Sequence, residues 1–174
     1  MDIDAATIAG ITPAPYAGPA WRHTSPRRDP LSGEGARIHG GRFNPPDSYP
    51  VIYLCLTRAC AVTEFLRMAN RQTIGPQGFL PWRVHQFHVD VGRVLDLTDS
   101  DVCDQIGVAE ADLIEEDVTL TREIGVIAHG LSLQAIRSPS ATGTDHVLAL
   151  IPENLGAGTL RVERSDEWTS LEQL

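Results

Sequence analysis

The chain contains no lysine: its 14 basic residues are all arginines, set against 23 aspartates and glutamates for a formal charge of −9. Phosphate backbones must be neutralised by cations, so this balance argues against generic, direct nucleic-acid binding and leaves room only for local basic patches. Cysteine is scarce. Cys55, Cys60 and Cys103 form no Cys-x-x-Cys pair and have no partners at zinc-ligand spacing. They read as small buried residues of a reducing compartment. His85, His88, His129 and His146 show no His-x-x-x-His spacing, so no metal site is expected. No segment approaches the roughly 20 apolar residues that span a bilayer. No basic start precedes an apolar run either, so a soluble, cytoplasmic protein without a membrane partner is expected. There is no Gly-x-Ser-x-Gly elbow, no P-loop and no Gly-x-Gly-x-x-Gly turn, which leaves serine-hydrolase and Rossmann-type chemistry unsupported.

What is present fits one domain of 174 residues, 42% of them apolar. Residues 1–20, rich in Ala, Pro and Gly, read as an extended N-terminal leader, and 21–174 as the folded domain. A short strand opens at Trp21–Thr24. Residues 25–48, dense in Gly, Pro, Arg and Asp, read as a long ordered loop with little regular structure. Val51–Leu56 is a continuous apolar run of strand type. Thr57 can cap a following helix whose apolar face is Ala59, Val62, Phe65, Leu66 and Ala69. Further strands are expected at Trp82–Val91, continued by Val94–Leu97, then from Ile136 to a break at Pro139, at His146–Ile151 and, as an edge, at Thr159–Arg164. Helices are expected at Asp99–Ile106, Ala109–Leu113 and Thr121–Ala135, with a closing turn after Trp168. The order shows no regular βαβ alternation, so the class is α+β.

Several groups carry chemistry. In Gly40-Gly41-Arg42-Phe43-Asn44-Pro45-Pro46, paired glycines allow a sharp turn and close approach to a ligand. Arg42 would then present a planar cationic fork suited to a pyrophosphate. An isolated Gly-Gly-Arg is more often a surface turn. Arg22 could bind phosphate or make a cross-strand ion pair, and His23 could be a satisfied polar group. Glu64 lies beside an apolar helix face, where it is either drawn into a cleft or solvated and paired with Arg67 at i+3. Ser140, in Ser138-Pro139-Ser140, points into a site or completes a turn.

Together and in this order the residues resemble one family. Trp21-Arg22, the run Arg28-Asp29-Pro30-Leu31-Ser32-Gly33-Glu34-Gly35-Ala36, and Gly40 to Pro45 look like the N-terminal signature of RES-domain proteins. Ile52-Tyr53-Leu54 with Glu64 eleven residues after Tyr53, and Pro139-Ser140 ahead of Val147–Ile151, match the family's strand, glutamate helix and serine. The resemblance runs from Trp21 to Arg164 and is densest over 21–64.

It implies an ADP-ribosyltransferase-like fold, a split, mostly antiparallel or mixed sheet flanked by helices. It also implies a toxin that cleaves NAD as a glycohydrolase or phosphorylase and is neutralised by an Xre-type antitoxin. The alternatives are a protein mono-ADP-ribosyltransferase or a non-catalytic interaction module on the same fold. NAD would be the substrate rather than a cofactor, with phosphate as a co-substrate and DNA reached only through the antitoxin. By the same resemblance Arg22 and Arg42 would hold the NAD phosphates, Tyr53 would line the nicotinamide–ribose pocket, and Glu64 would be the catalytic carboxylate. Ser140 would contact the nicotinamide side or buttress the site. His23 replaces a common tyrosine in the binding set, and Phe43 a common tryptophan.

Overall fold

The computed structural model describes residues 3–174. Six strands and six α-helices follow in the order α1 (Ala5–Gly10), β1 (Ala14–Thr24), α2 (Glu34–His39), β2 (Ile52–Cys55), α3 (Arg58–Asn70), β3 (Trp82–Asp96), α4 (Ser100–Ile106), α5 (Glu110–Ile114), α6 (Thr119–Gly130), β4 (Ala135–Pro139), β5 (His146–Leu150) and β6 (Leu160–Trp168). The α+β class and the mixed sheet expected from the sequence are what the chain forms: β3 and β4 run parallel, and every other pairing is antiparallel.

The sheet is split. One half is β1-β3-β6, with β1 along nearly the whole of β3. The other is β2-β5-β4. The halves meet at β3 residues Val94–Asp96 against β4, and at the single pair Trp21–Cys55 between β1 and β2. Val94 pairs with both Ala14 and Ala135, so β4 continues the edge of β3 that β6 occupies further up. Ala20, Phe87, Val89 and Val91 of one half pack against Ile52, Leu54, Leu148 and Leu150 of the other. The outer face of the second half, with Ala149 and Ile136, is covered by Ile8, Cys103, Leu113, Ile124 and Ala128 from α1, α4, α5 and α6. A third cluster seats α3 through Cys60, Ala61, Phe65 and Ala69 against Val84 and Trp168.

Four expectations need correction. The described part of the stretch read as a leader forms α1 and the first half of β1, and its Ala20 is fully buried; Met1 and Asp2 lie outside the described residues. Pro15 and Pro19 are tolerated inside the strand because only β3 flanks that part of β1, so a missing N–H can face the open edge. Within residues 25–48 the chain forms α2, six residues with none buried, which leaves no apolar period to read. The face of α3 is rotated from the one expected: Cys60, Ala61, Phe65 and Ala69 are buried and Ala59 is exposed. Finally, α6 ends at Gly130 rather than Ala135. Ser132 takes a left-handed backbone (φ +57°), and Ala135 opens β4. Short apolar runs fit either period, and here the turn decides.

Candidate active site

Between α2 and β2 the chain turns inward at Gly40, whose φ of +74° suits glycine. The segment that follows is fixed from several sides. Gly41 N–H donates to the Asn44 carbonyl at 2.9 Å, and Phe43 N–H donates to the Tyr53 hydroxyl at 2.8 Å. Tyr49 donates its hydroxyl to the Phe43 carbonyl at 2.7 Å, and Arg122 Nε donates to the Gly41 carbonyl at 3.0 Å. Asn44, fully buried, accepts from the Tyr53 hydroxyl and donates Nδ2 to Ala36 O at 2.7 Å. A Cβ on Gly41 would collide with the Tyr53 ring, so the glycine is what lets the loop lie against β2. Tyr53 thus spends its hydroxyl on holding the loop, and burial pushes its pKa well above the ordinary phenol value.

The loop aims Arg42 into a cleft of about 650 Å³, lined also by Arg22, His23, Tyr53 and Glu64. Five of the six residues singled out from the sequence therefore share one cavity. The sixth, Ser140, lies just behind the wall, between the lining residues Pro139 and Ala141. It reaches the cavity by donating its hydroxyl to Glu64 Oε1 at 2.9 Å. With its one proton committed there, Ser140 Oγ accepts from the Thr142 hydroxyl at 2.8 Å and the Thr142 N–H at 3.2 Å. Glu64 is consequently an oriented carboxylate, presented from α3 by the Thr57 cap and the buried face that seat the helix. The alternative, a solvated Glu64–Arg67 pair, is not what forms: no such ion pair occurs among the described residues.

Arg22 and Arg42 are built alike. Arg22 Nη1 donates to Pro30 O at 2.6 Å and Ser32 O at 2.9 Å; Arg42 Nη1 donates to Leu113 O at 3.0 Å and Glu115 O at 2.9 Å. Each guanidinium is clamped by one nitrogen to two backbone carbonyls. Its Nε and Nη2 are left without a partner among the described residues, and this pair of donors can grip an oxyanion bidentately. Burial, with Arg28 adding to it, lowers Arg22 to about 10, so it remains a cation at neutral pH. His23 behaves differently. Trp82 Nε1 donates to His23 Nδ1 at 3.1 Å, which places the ring proton on Nε2. Burial, and secondarily Arg22, holds its pKa down to about 4. His23 is therefore a neutral donor at pH 7, not a second cation.

Sequence reasoning passed over Asn44, Tyr49, Thr142 and Arg122, which hold the site without lining it. Asn44 sat inside the Gly-Gly-Arg motif and Thr142 two residues past the serine, but nothing in their spacing distinguishes them from turn residues. It also passed over Arg28 and Arg71 as cleft residues, and read Arg67 only as a partner for Glu64; all three line the cavity.

The arrangement is an oriented carboxylate facing a strongly cationic cleft, suited to a phosphate-bearing substrate that develops positive charge near Glu64. The model of the RES domain matches residues 19–170. The NAD(+) phosphorylase MbcT of Mycobacterium tuberculosis (strain H37Rv) and that of Mycobacterium bovis are each 32% identical over 151 residues, 86% of this chain and 81% of theirs. The crystal structure of the M. tuberculosis MbcT–MbcA toxin–antitoxin complex matches with a TM-score of 0.86 at 29% identity, covering 95% of this chain and 91% of that one.

Proposed function

The chain belongs to the RES-domain family, and from that premise we propose that it is an NAD-cleaving toxin that breaks the nicotinamide–ribose bond and passes ADP-ribose to inorganic phosphate. The observation that carries the reading is the Ser140–Glu64 bond at 2.9 Å, which orients a carboxylate in the same cleft that Arg22 and Arg42 line.

Arg22 and Arg42 grip the pyrophosphate through Nε and Nη2 and so fix the position of the nicotinamide ribose. As the C1″–N bond lengthens, its electron pair moves onto the pyridine nitrogen and positive charge builds on the ribose. Glu64 stabilises that oxocarbenium-like charge, as carboxylates do in glycoside cleavage. Ser140 and Thr142 keep the carboxylate in one rotamer. Nicotinamide leaves neutral, so no general acid is needed. Tyr53 acts by positioning the Arg42 loop while its ring lines the pocket, and His23 offers its Nε2–H as a donor to the bound dinucleotide. NAD is the substrate in this scheme, and its cleavage belongs in the cytoplasm, where NAD is consumed.

Incubating the purified chain with NAD, with and without phosphate, and identifying the products tests the reading. ADP-ribose 1″-phosphate supports it. Free ADP-ribose alone would make the chain a glycohydrolase, labelled protein would make it an ADP-ribosyltransferase, and no nicotinamide release would end the proposal. Arg42→Ala is expected to weaken NAD binding by tenfold or more, since charge-assisted bonds contribute roughly 1.5–3 kcal/mol each. Arg42→Lys should recover only part, because an ammonium has no fork. Equal affinities in calorimetric titration would remove Arg42 from the site.

An unrestrained enzyme of this kind would empty its own cell of NAD, so a partner is expected. We take that partner to be an antitoxin of the Xre type that covers the arginine-lined cleft. Co-expression with the adjacent small gene should rescue growth and yield a co-purifying complex that releases no nicotinamide; a complex that retains full turnover would place the partner elsewhere.

A further inference from the structure

The cleft holds more positive charge than a pyrophosphate needs. Five arginines line it, Arg22, Arg28, Arg42, Arg67 and Arg71, against the single carboxylate of Glu64. Arg22 and Arg42 are anchored by Nη1 to backbone carbonyls. The side chains of Arg28, Arg67 and Arg71 have neither hydrogen bond nor ion pair among the described residues. Cations left unpaired side by side repel one another, and the repulsion registers on their neighbours: Arg67 is the leading charge that depresses Arg42 after burial, and Arg28 the leading one on Arg22. A dinucleotide brings two negative charges, which the anchored pair answers. The surplus on the α3 side calls for a second anion.

Its position follows from helix geometry. Glu64 and Arg67 stand at i and i+3 on α3, Arg71 follows at i+7 as the C-cap residue with helical backbone angles, and all three line the cleft. Arg67 is one turn from the catalytic carboxylate, about 5–6 Å between Cβ atoms, and Arg71 roughly 10 Å along the axis from Glu64. A hydrogen phosphate dianion brought beside Glu64 would be repelled unless a cation stood next to both. Arg28 is less suited, because it comes from the loop after β1 and its guanidinium lies over Gly35.

We propose that Arg67 and Arg71 form the subsite for the inorganic phosphate that attacks the ribose, separate from the pyrophosphate pair Arg22 and Arg42. The proposal rests on the phosphorolytic reading of the site and assigns its second substrate to residues. In the step itself an anionic phosphate oxygen forms the bond to C1″ as the C1″–N bond breaks. The bonding pair goes to the nicotinamide nitrogen and neutralises it, and the new ester keeps the phosphate's proton. Charge and atoms balance without a base, which fits a site whose only carboxylate is held by Ser140.

The test uses the purified full chain and a titration of inorganic phosphate against NAD, for wild type, Arg67→Ala, Arg71→Ala and the double variant. Arg67→Ala should raise KM for phosphate roughly tenfold or more, the scale of a lost charge-assisted contact. KM for NAD should move by much less, and the product ratio should shift from ADP-ribose 1″-phosphate towards ADP-ribose. The double variant should lose most phosphate dependence, and Arg67→Lys should recover part of it. If the alanine variants fail to fold, Arg67→Gln and Arg71→Gln, which keep much of the side-chain stem and lose the charge, carry the same comparison. An unchanged KM for phosphate with a raised KM for NAD would give these arginines to the dinucleotide and overturn the proposal. Nicotinamide release by wild type that ignores phosphate would overturn it while leaving NAD cleavage standing. No release at all would overturn both.

Discussion

Glu64→Gln is expected to lower nicotinamide release by roughly 10²–10³-fold, the usual cost of removing one preorganised electrostatic contact to a transition state. The fold and most NAD affinity should survive. Glutamine keeps the length of the side chain and retains a carbonyl oxygen at the position of Oε1, which can still accept the Ser140 hydroxyl now held at 2.9 Å. What it loses is the charge. In the ground state the positive charge of NAD lies on the nicotinamide ring, one bond further from Glu64. In the transition state it moves onto the ribose carbon and its ring oxygen, and the attraction to a carboxylate grows. Only that growth accelerates the reaction, so kcat should fall while the dissociation constant for NAD changes little. Nicotinamide release, NAD titration and a melting curve on the same preparation check all three parts. Turnover within a few-fold of wild type would make Glu64 a wall residue and sink the mechanism.

The two layers of this site were not equally legible. Groups that touch the cleft were readable because their chemistry is unusual in its sequence context: an arginine behind two glycines, a glutamate beside an apolar helix face, a serine after a strand-breaking proline. Their meaning came from the order in which they occur, since each taken singly also fits an ordinary turn or surface pair. The second layer was not readable. Arg122 acts through a bond from Nε to the Gly41 carbonyl across 81 positions of sequence, while Asn44, Tyr49 and Thr142, inside irregular loops, bond two to nine residues away, and no local period records either kind. The fold divides in the same way. The apolar runs of β2 and β5 announced themselves, and so did the capped start of α3. The first half of β1 did not, because its prolines make sense only once β3 is known to flank a single edge. Nor did the end of α6, where apolar residues continue past the helix into β4 and only the left-handed Ser132 marks the turn. The surplus of arginines in the cleft was likewise invisible beforehand, since an overall charge of −9 hides a local excess of the opposite sign.

Gly125→Ala should produce a large loss of stability, and should take NAD binding with it. Gly125 is buried in the middle of α6, where the helix crosses the Arg42 loop. A Cβ there would overlap the Phe43 carbonyl oxygen deep inside van der Waals contact and would stand 3.0 Å from Phe43 Cα. The obstacle is backbone, with no flexible side-chain end to swing aside. Nor can the loop retreat cheaply. Phe43 O accepts from the Tyr49 hydroxyl at 2.7 Å, Phe43 N–H donates to Tyr53, and Gly41 O accepts from Arg122, which is itself on α6. Relief therefore requires either α6 to lift from a core that contains Ile124 and Ala128, or the loop to break its bonds to Tyr49 and Tyr53. Overpacking in a core typically costs about 1–3 kcal/mol, and a backbone-on-backbone collision belongs at or above the top of that range. For a chain of this size about 3 kcal/mol lowers Tm by roughly 6–12 °C. Movement of the loop would also carry Arg42 away from its carbonyl anchors at Leu113 and Glu115, so NAD affinity should fall alongside stability. Gly130→Ala is the control. It lies at the end of the same helix with nothing within 4 Å of the added carbon, and alanine's better helix propensity should leave stability unchanged or slightly raised. Calorimetric melting and NAD titration of the two variants decide the matter. A Gly125→Ala protein that melts with wild type and binds NAD normally would show that α6 does not brace the loop, and that the close approach of helix and loop is not what positions Arg42.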